Sequence, residues 1–109
     1  MVGEFHYGTI VKMDFNPHAG HEQAGWRRAL IVSNDVFNRT NNLRLVVPIT
    51  HTDRKSPYHI QITDCNETDG YVMCDQIKSL DLDARNAKFV EDATDEMMKE
   101  VSALIKQLT

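Results

Sequence analysis

The chain has 109 residues and a net charge of −4, a length that suits one domain, residues 1–109, with one small core. Its hydrophobic content of 41% and charged content of 26% are ordinary for a soluble globular protein, and no apolar run approaches the ~20 residues of a membrane span. The N-terminus lacks the basic start and apolar run of a signal peptide, so we expect a cytoplasmic protein.

Short stretches of alternating or continuous apolar residues predict a mainly β protein. A polar loop through Arg27 separates the first two predicted strands, and residues 35–40 are expected to form a helical turn or a loop. The predicted strands are 9–15, 29–33, 43–50, 58–62, 71–80 and 87–90.

Particular residues add three expectations about these strands. Pro48 has no N–H to donate, which predicts that the end of the third strand lies at a sheet edge or bulge. In the fourth strand, apolar residues alternate with His59 and Gln61. The alternation of the fifth strand fails near Asp75, which predicts a bulge or bend there.

Residues 94–108 carry the clearest helical pattern. Thr94 can cap the helix, and Asp95 and Glu96 suit the positive end of its dipole. The apolar stripe is expected to face the core, although its two methionines could instead belong to a dimer interface. The stripe consists of Met97, Met98, Val101, Leu104, Ile105 and Leu108.

The two cysteines do not form a disulfide framework, and both are predicted to be reduced. Cys74 lies in an apolar stretch and is interpreted as core filling. His18 and His21 are close in sequence, but no third ligand is apparent nearby, so no metal site is predicted.

Charge is unevenly distributed along the chain. Residues 1–55 carry a net +2 and residues 56–109 carry −6, which leaves room for a locally basic surface on an acidic protein. A polar loop bounded by Gly20 and Gly25 gathers a histidine, a carboxylate, an amide and then two arginines. Charges of both signs beside an imidazole are typical of metal-free phosphate chemistry.

Several segments, in order along nearly the whole chain, are similar to the MazF/PemK (Kid) toxins. They are Asp14-Phe15-Asn16-Pro17, Gly20-His21-Glu22-Gln23-Ala24-Gly25, Arg27, Ala29-Leu30-Ile31-Val32-Ser33-Asn34, Phe37-Asn38-Arg39-Thr40, Val47-Pro48-Ile49-Thr50, Asp69-Gly70, Cys74-Asp75-Gln76-Ile77-Lys78-Ser79-Leu80-Asp81 and Ala84-Arg85-Asn86-Ala87. The resemblance implies a small SH3-like antiparallel barrel with a C-terminal helix, assembled as a homodimer. It also implies a toxin that cuts single-stranded RNA at short sequences without a metal or cofactor. In this family the acidic tail of an antitoxin covers the RNA-binding face of the toxin.

By that resemblance, Arg27 would stabilise charge on the phosphate and Thr50 would hydrogen-bond the scissile phosphate. His21, Glu22 and Asp75 compete for the roles of general base and general acid, and the sequence does not choose among them.

A second group of residues is expected to contact the RNA. Trp26 is preferred to Phe37 as the aromatic that stacks on a base, and Thr52 is a weaker substitute for Thr50. The predicted RNA-binding residues are Gln23, Trp26, Arg28, Thr52, Gln76 and Lys78.

Three departures from the family pattern affect these expectations. Arg28 stands where the family usually has proline, and Met73 stands where some members have an active-site arginine. Lys78 replaces a common arginine, which keeps the charge but loses the bidentate geometry.

Two other classes of function remain. A toxin of the same family plan can act on DNA gyrase by protein–protein contact, as CcdB-like toxins do, and a plain binding module would give the loop no catalytic role. A gyrase toxin has no need of the His21–Arg27 loop together with Thr50, so their presence favours the ribonuclease.

Overall fold

The computed structural model describes residues 5–15 and 26–109, which form seven strands and two helices. The elements are β1 (Thr9–Asp14), β2 (Trp26–Ile31), α1 (Asp35–Thr40), β3 (Leu43–Thr50), β4 (His59–Gln61), β5 (Tyr71–Met73), β6 (Lys78–Asp81), β7 (Lys88–Asp92) and α2 (Asp95–Leu108). The predicted mainly β chain with a C-terminal helix is confirmed.

The strands form one antiparallel sheet in the order β4-β5-β3-β2-β1-β7, and β6 pairs with the first part of β3. Strand β3 therefore lies centrally and pairs with three neighbours. This arrangement is consistent with the expected small barrel.

Both faces of the sheet bury apolar side chains. One face packs against α2, and its strand residues include Ile10, Leu30, Val47, Ile49, Ile60 and Val72. The opposite face carries a second cluster of Phe5, Val11, Met13, Phe15, Ala29, Ile31, Val46 and Leu82. Neighbouring residues along a strand fall into different clusters, as the period of two requires.

Helix α2 forms as predicted. The Thr94 hydroxyl accepts a hydrogen bond from the Met97 N–H at 3.1 Å and so caps the first turn. Met97 and Met98 are 4% and 6% exposed, and they pack with Val101 against the sheet. The stripe thus faces the core of its own chain from Met97 to Ile105, both methionines included, whereas Leu108 at its end is exposed.

The predicted polar loop through Arg27 is wrong at its end, because β2 begins at Trp26. Strand β1 pairs with β2 as far as Asp14 and Trp26, so backbone pairing extends the strand through residues whose side chains carry no apolar signal. Residues 35–40 form a short helix, α1, with the Asn34 side chain as its cap.

Of the two alternatives predicted at Pro48, a sheet edge or a bulge, the sheet edge is wrong, because β3 is the central strand and Pro48 pairs with Ala29 of β2. On its other side, β3 pairs with β6 up to Val46 and with β5 from Ile49 onward. Pro48 lies in the gap between these two partners, where the registered pairing on that side is interrupted.

The break predicted near Asp75 is confirmed. The predicted fifth strand is divided into β5 and β6, with a turn between them in which the Gln76 N–H bonds to the Met73 carbonyl at 3.1 Å. Both cysteines are free, and Cys74 is fully buried in the core. No helix in the described part of the chain is long and apolar enough to cross a membrane.

Candidate active site

Arg27 and Thr50 lie at the same end of neighbouring strands and on the same face of the sheet. Register pairs Arg27 with Met13, a member of the cluster opposite α2. Thr50 follows Ile49, which faces α2, so its own side chain takes the opposite face. We call this face, opposite α2, the site face. Beyond Pro48 the two strands separate, since β2 continues along β1 whereas β3 pairs with β5.

The site face continues across β5 and β4. Thr50 pairs with Tyr71 of β5, and His59 of β4 pairs with Met73 of β5. Registered partners in an antiparallel pair project to the same side, so these side chains share the face that carries Thr50. The neighbouring residues Val72 and Ile60 belong to the cluster under α2.

Thr50 is held firmly for a residue at a strand end. It is 5% exposed, and its hydroxyl oxygen accepts a hydrogen bond from the Thr52 N–H at 3.2 Å. That bond uses a lone pair of the hydroxyl and leaves its proton for another acceptor, such as a phosphate oxygen.

Asp75 is half-exposed in the turn between β5 and β6, and it contacts a histidine. The Nε2 atom of His59 lies 3.2 Å from Oδ1 of Asp75, and the His59 side chain is only 5% exposed. Asp75 lies beyond the end of β5, and its contact with His59, whose side chain is on the site face, brings the carboxylate to that face. His59 is thus a site residue that the sequence reasoning missed, since alternation placed it on the polar side of its strand and could not show that this side is covered.

Arg28 and Trp26 take the opposite face of β2 from Arg27. The Arg28 guanidinium donates to the Thr68 hydroxyl at 2.8 Å and to the Glu67 carbonyl. Thr68 is buried, so Arg28 ties β2 to the loop before β5. Trp26 is 48% exposed and pairs with Asp14. The structure therefore does not bring these two predicted RNA contacts together with Arg27.

Some of the remaining predicted residues are described by the structure, and the others lie outside the described residues. Gln76 and Thr52 are exposed, and Lys78 pairs with Val46, a residue of the site face. Phe37, on α1, is only partly exposed. His21, Glu22 and Gln23 lie outside the described residues, as does His18.

Several side chains from other elements anchor the loop of residues 64–70. Besides Arg28, the Glu91 carboxylate of β7 accepts the N–H groups of Asn66 and Glu67 at 3.1 and 3.0 Å. The Thr94 hydroxyl donates to Asp64 at 2.6 Å, which links the loop to the cap of α2. A loop held in this way is pre-organised beside Thr50 and Tyr71.

Within residues 5–15 and 26–109, no group of three or more histidine, cysteine or acidic side chains could hold a metal ion. The chemistry of the described site is that of an arginine, a hydroxyl, a carboxylate and an imidazole. Such a set can bind a phosphodiester and move protons around it.

Comparison with known proteins identifies the family. A profile of the family described as "PemK-like, MazF-like toxin of type II toxin-antitoxin system" matches residues 6–109. Among curated proteins, the chain is similar to the endoribonuclease toxin ChpB of Escherichia coli K12, with 39% identity over 103 residues, covering 89% of this chain and 87% of that protein. It is also 37% identical over 98 residues to the endoribonuclease PemK of Escherichia coli, covering 86% and 74%.

Solved structures agree. MazF from Deinococcus radiodurans superposes with a TM-score of 0.85 at 30% identity, covering 94% of each chain. A MazE–MazF structure from the same organism gives a TM-score of 0.82 at 30% identity, covering 94% of this chain and 93% of that one. The chain belongs to the PemK-like, MazF-like toxins of type II toxin–antitoxin systems, as the resemblance implied.

Proposed function

We propose that this protein is a toxin that cleaves single-stranded RNA at a short sequence, without a metal, by attack of the RNA's own 2′-OH on the adjacent phosphate. The products would carry a 2′,3′-cyclic phosphate and a 5′-OH. The observation that carries the proposal is the common face of Arg27, Thr50 and Asp75 in a chain whose curated relatives are named endoribonucleases.

Arg27 and Thr50 act on the phosphate. The planar guanidinium of Arg27 suits the two oxygens of a phosphodiester, and it would stabilise the extra negative charge of the phosphorane. The Thr50 hydroxyl, already oriented by the Thr52 N–H, would donate to one of these oxygens. Residue 73 is a buried methionine, so no arginine at that position shares the work of Arg27.

The proton transfers need a base near the 2′-OH and an acid near the departing 5′-oxygen. The contact of Asp75 with His59, a residue of the site face, supports Asp75 as one of these two groups. His21 and Glu22 precede β2 in sequence and remain candidates for the complementary role. Asp75 and one of these two would form a pair of proton-transferring groups around the phosphate.

RNA would extend from the scissile phosphate, bound by Arg27 and Thr50, over the surrounding polar residues. Thr52 and Gln76 are exposed, and Lys78 offers a positive charge to the backbone. Gln23 is a further proposed contact. Trp26 and Arg28 are proposed to act farther from the centre, since they take the other face of β2.

We further propose that the protein works in the cytoplasm as a homodimer and is neutralised by a cognate antitoxin. The MazE–MazF structures among its structural neighbours support an antitoxin partner. An acidic antitoxin segment laid over Arg27 and Lys78 would occupy the position proposed for the RNA backbone, which gives inhibition by direct competition.

Cleavage in EDTA separates this proposal from action on DNA gyrase. Purified, antitoxin-free protein is incubated with a long unstructured RNA, and both the cut positions and the end groups are mapped. Cuts at one motif with cyclic phosphate ends support the proposal, and Arg27→Ala is expected to lower the rate by at least ~100-fold. The matched control is Arg39→Ala, an exposed arginine on α1, which should cleave like the wild type.

A folded, growth-inhibiting protein that leaves RNA intact would overturn the proposal and direct attention to gyrase. Toxicity that survives Arg27→Ala would do the same, because contact with a protein target gives that guanidinium no catalytic role.

A further inference from the structure

The imidazole of His59, which contacts Asp75, lies in an unusual environment. The His59 side chain is 5% exposed, whereas that of Asp75 is 39% exposed. Nδ1 of His59 is buried, and no atom of residues 5–15 or 26–109 hydrogen-bonds to it. A buried polar atom without a partner lowers the free energy of unfolding, so His59 destabilises the fold.

The unpartnered Nδ1 decides which nitrogen carries the proton. A proton on Nδ1 would leave a buried N–H donor unsatisfied, whether the ring is neutral or charged. A neutral ring with its proton on Nε2 leaves only a lone pair at Nδ1 and directs the N–H at Oδ1 of Asp75, 3.2 Å away. The ring is therefore the donor in this pair and Asp75 is the acceptor.

We propose that His59 is a positioning residue for RNA cleavage: its Nε2–H holds one oxygen of Asp75 so that the other oxygen faces the substrate. This inference rests on the proposed function and adds a residue to it. Asp75 lies in a turn, whereas β4 fixes His59 by its pairing with β5. An orientation error of about 1 Å at a proton-transferring group can cost up to 100-fold in rate, so a rigid donor beneath the carboxylate is worth its cost in stability.

Substitution of His59 separates a positioning role from a purely structural one. Leucine at position 59 removes the unpartnered nitrogen, and Asp75 can still be solvated because it is partly exposed. We expect His59→Leu to be at least as stable as the wild type toward urea, yet to show a kcat about tenfold to 100-fold lower with KM changed less than about threefold. His59→Gln places an amide N–H close to the position of Nε2 and should recover most of kcat.

The matched control is a second histidine–aspartate pair among the described residues, whose side chains are 42% and 52% exposed. Nε2 of His6 lies 3.3 Å from Oδ1 of Asp92 on β7, at the opposite edge of the sheet from β4. His6→Leu and His6→Gln should both leave kcat and KM unchanged.

NMR tests the pairing without any assay of activity. Long-range 1H–15N spectra of 15N-histidine-labelled protein should show His59 protonated on Nε2, and its Nε2 resonance should shift in Asp75→Asn. A ring that carries its only proton on Nδ1 would overturn the inference, as would a folded His59→Leu that cleaves with wild-type kcat.

The two proposals fail in different ways. If the wild type does not cleave RNA, the proposed function is wrong, and the inference falls with it. If the wild type cleaves but His59→Leu is equally active, only the inference is wrong. If His59→Gln is as impaired as His59→Leu, donation from Nε2 is not what position 59 supplies, and the inference is again overturned.

Discussion

Gly70 lies directly against Thr50: a β-carbon built on Gly70 would stand 2.3 Å from the Thr50 carbonyl oxygen. Gly70 also has a φ of +104°, a conformation that L side chains rarely adopt. It comes immediately before β5, whose first residue pairs with Thr50. The proposed phosphate-binding hydroxyl is therefore positioned by a close backbone contact that only glycine permits.

Gly70→Ala is expected to affect both stability and activity. The β-carbon must push the Thr50 backbone away, and the positive φ adds strain, for a cost of about 1–3 kcal/mol in the free energy of unfolding. Displacement of Thr50 should also lower kcat for RNA cleavage by about tenfold or more. Urea titration and single-turnover cleavage measure the two effects.

Gly8→Ala separates strain from the contact with Thr50. Gly8 also has a positive φ, +89°, but its β-carbon would meet only the Met98 side chain, at 3.4 Å. This variant should lose stability while it keeps wild-type kcat per folded molecule. Equal loss of kcat in the two variants would argue against the role given to Thr50.

The sequence predicts those elements whose signal is local. The bounds of β3 agree with its apolar, β-branched run, and α2 follows its cap at Thr94 and its stripe. Strand β2 begins three residues before the predicted start at residue 29, because Trp26, Arg27 and Arg28 become strand through pairing with β1 and not through their own pattern.

The site is predicted where it follows family motifs and is missed where it depends on packing. Arg27, Thr50 and Asp75 are candidates from their segments; register puts Arg27 and Thr50 on one face, and the contact with His59 brings Asp75 to it. His59 is missed because its burial depends on what covers β4. The partner of Arg28 is missed because Thr68 is forty residues away along the chain.

Arg28→Ala is expected to destabilise the fold and to loosen the loop of residues 64–70. The guanidinium bonds to the Thr68 hydroxyl and the Glu67 carbonyl, and its removal leaves the buried Thr68 without this donor. Hydrogen bonds from a charged group contribute about 1.5–3 kcal/mol, which sets the expected loss in the free energy of unfolding. Hydrogen exchange should show faster exchange at the Asn66 and Glu67 amides.

Arg39→Ala serves as the control, since Arg39 is exposed on α1 and should change stability by about 0.5 kcal/mol or less. If Arg28→Ala is no less stable than this control, the anchoring role of Arg28 is wrong.

The two thiols are expected to be unreactive in the folded protein. Burial raises the pKa of Cys74 to about 11, helped by the negative charges of Asp75 and Glu100. Burial likewise raises the pKa of Cys65, together with nearby Glu91 and Asp64. Because the thiolate is the reactive form, both should resist alkylation near pH 7.5, and both should react in about 8 M urea.

Mass spectrometry after a short pulse of iodoacetamide measures this directly, and Cys74→Ala identifies which thiol is modified. Rapid modification of Cys74 in the native protein at neutral pH would show that the core around β5 opens far more readily than its packing implies.

Thr94 links the C-terminal helix to the loop of residues 64–70, so its substitution should remove a hydrogen bond from each. Thr94→Ala removes the cap on the Met97 N–H and the bond to Asp64, and we expect a loss of about 1–2 kcal/mol in the free energy of unfolding. Thr94→Ser keeps a hydroxyl in the same place and should remain within about 0.5 kcal/mol of the wild type. Urea titration followed by far-UV circular dichroism compares the three proteins. Equal stability of Thr94→Ala and Thr94→Ser would mean that packing of Met97, Met98 and Val101 alone fixes the helix, with no contribution from its cap.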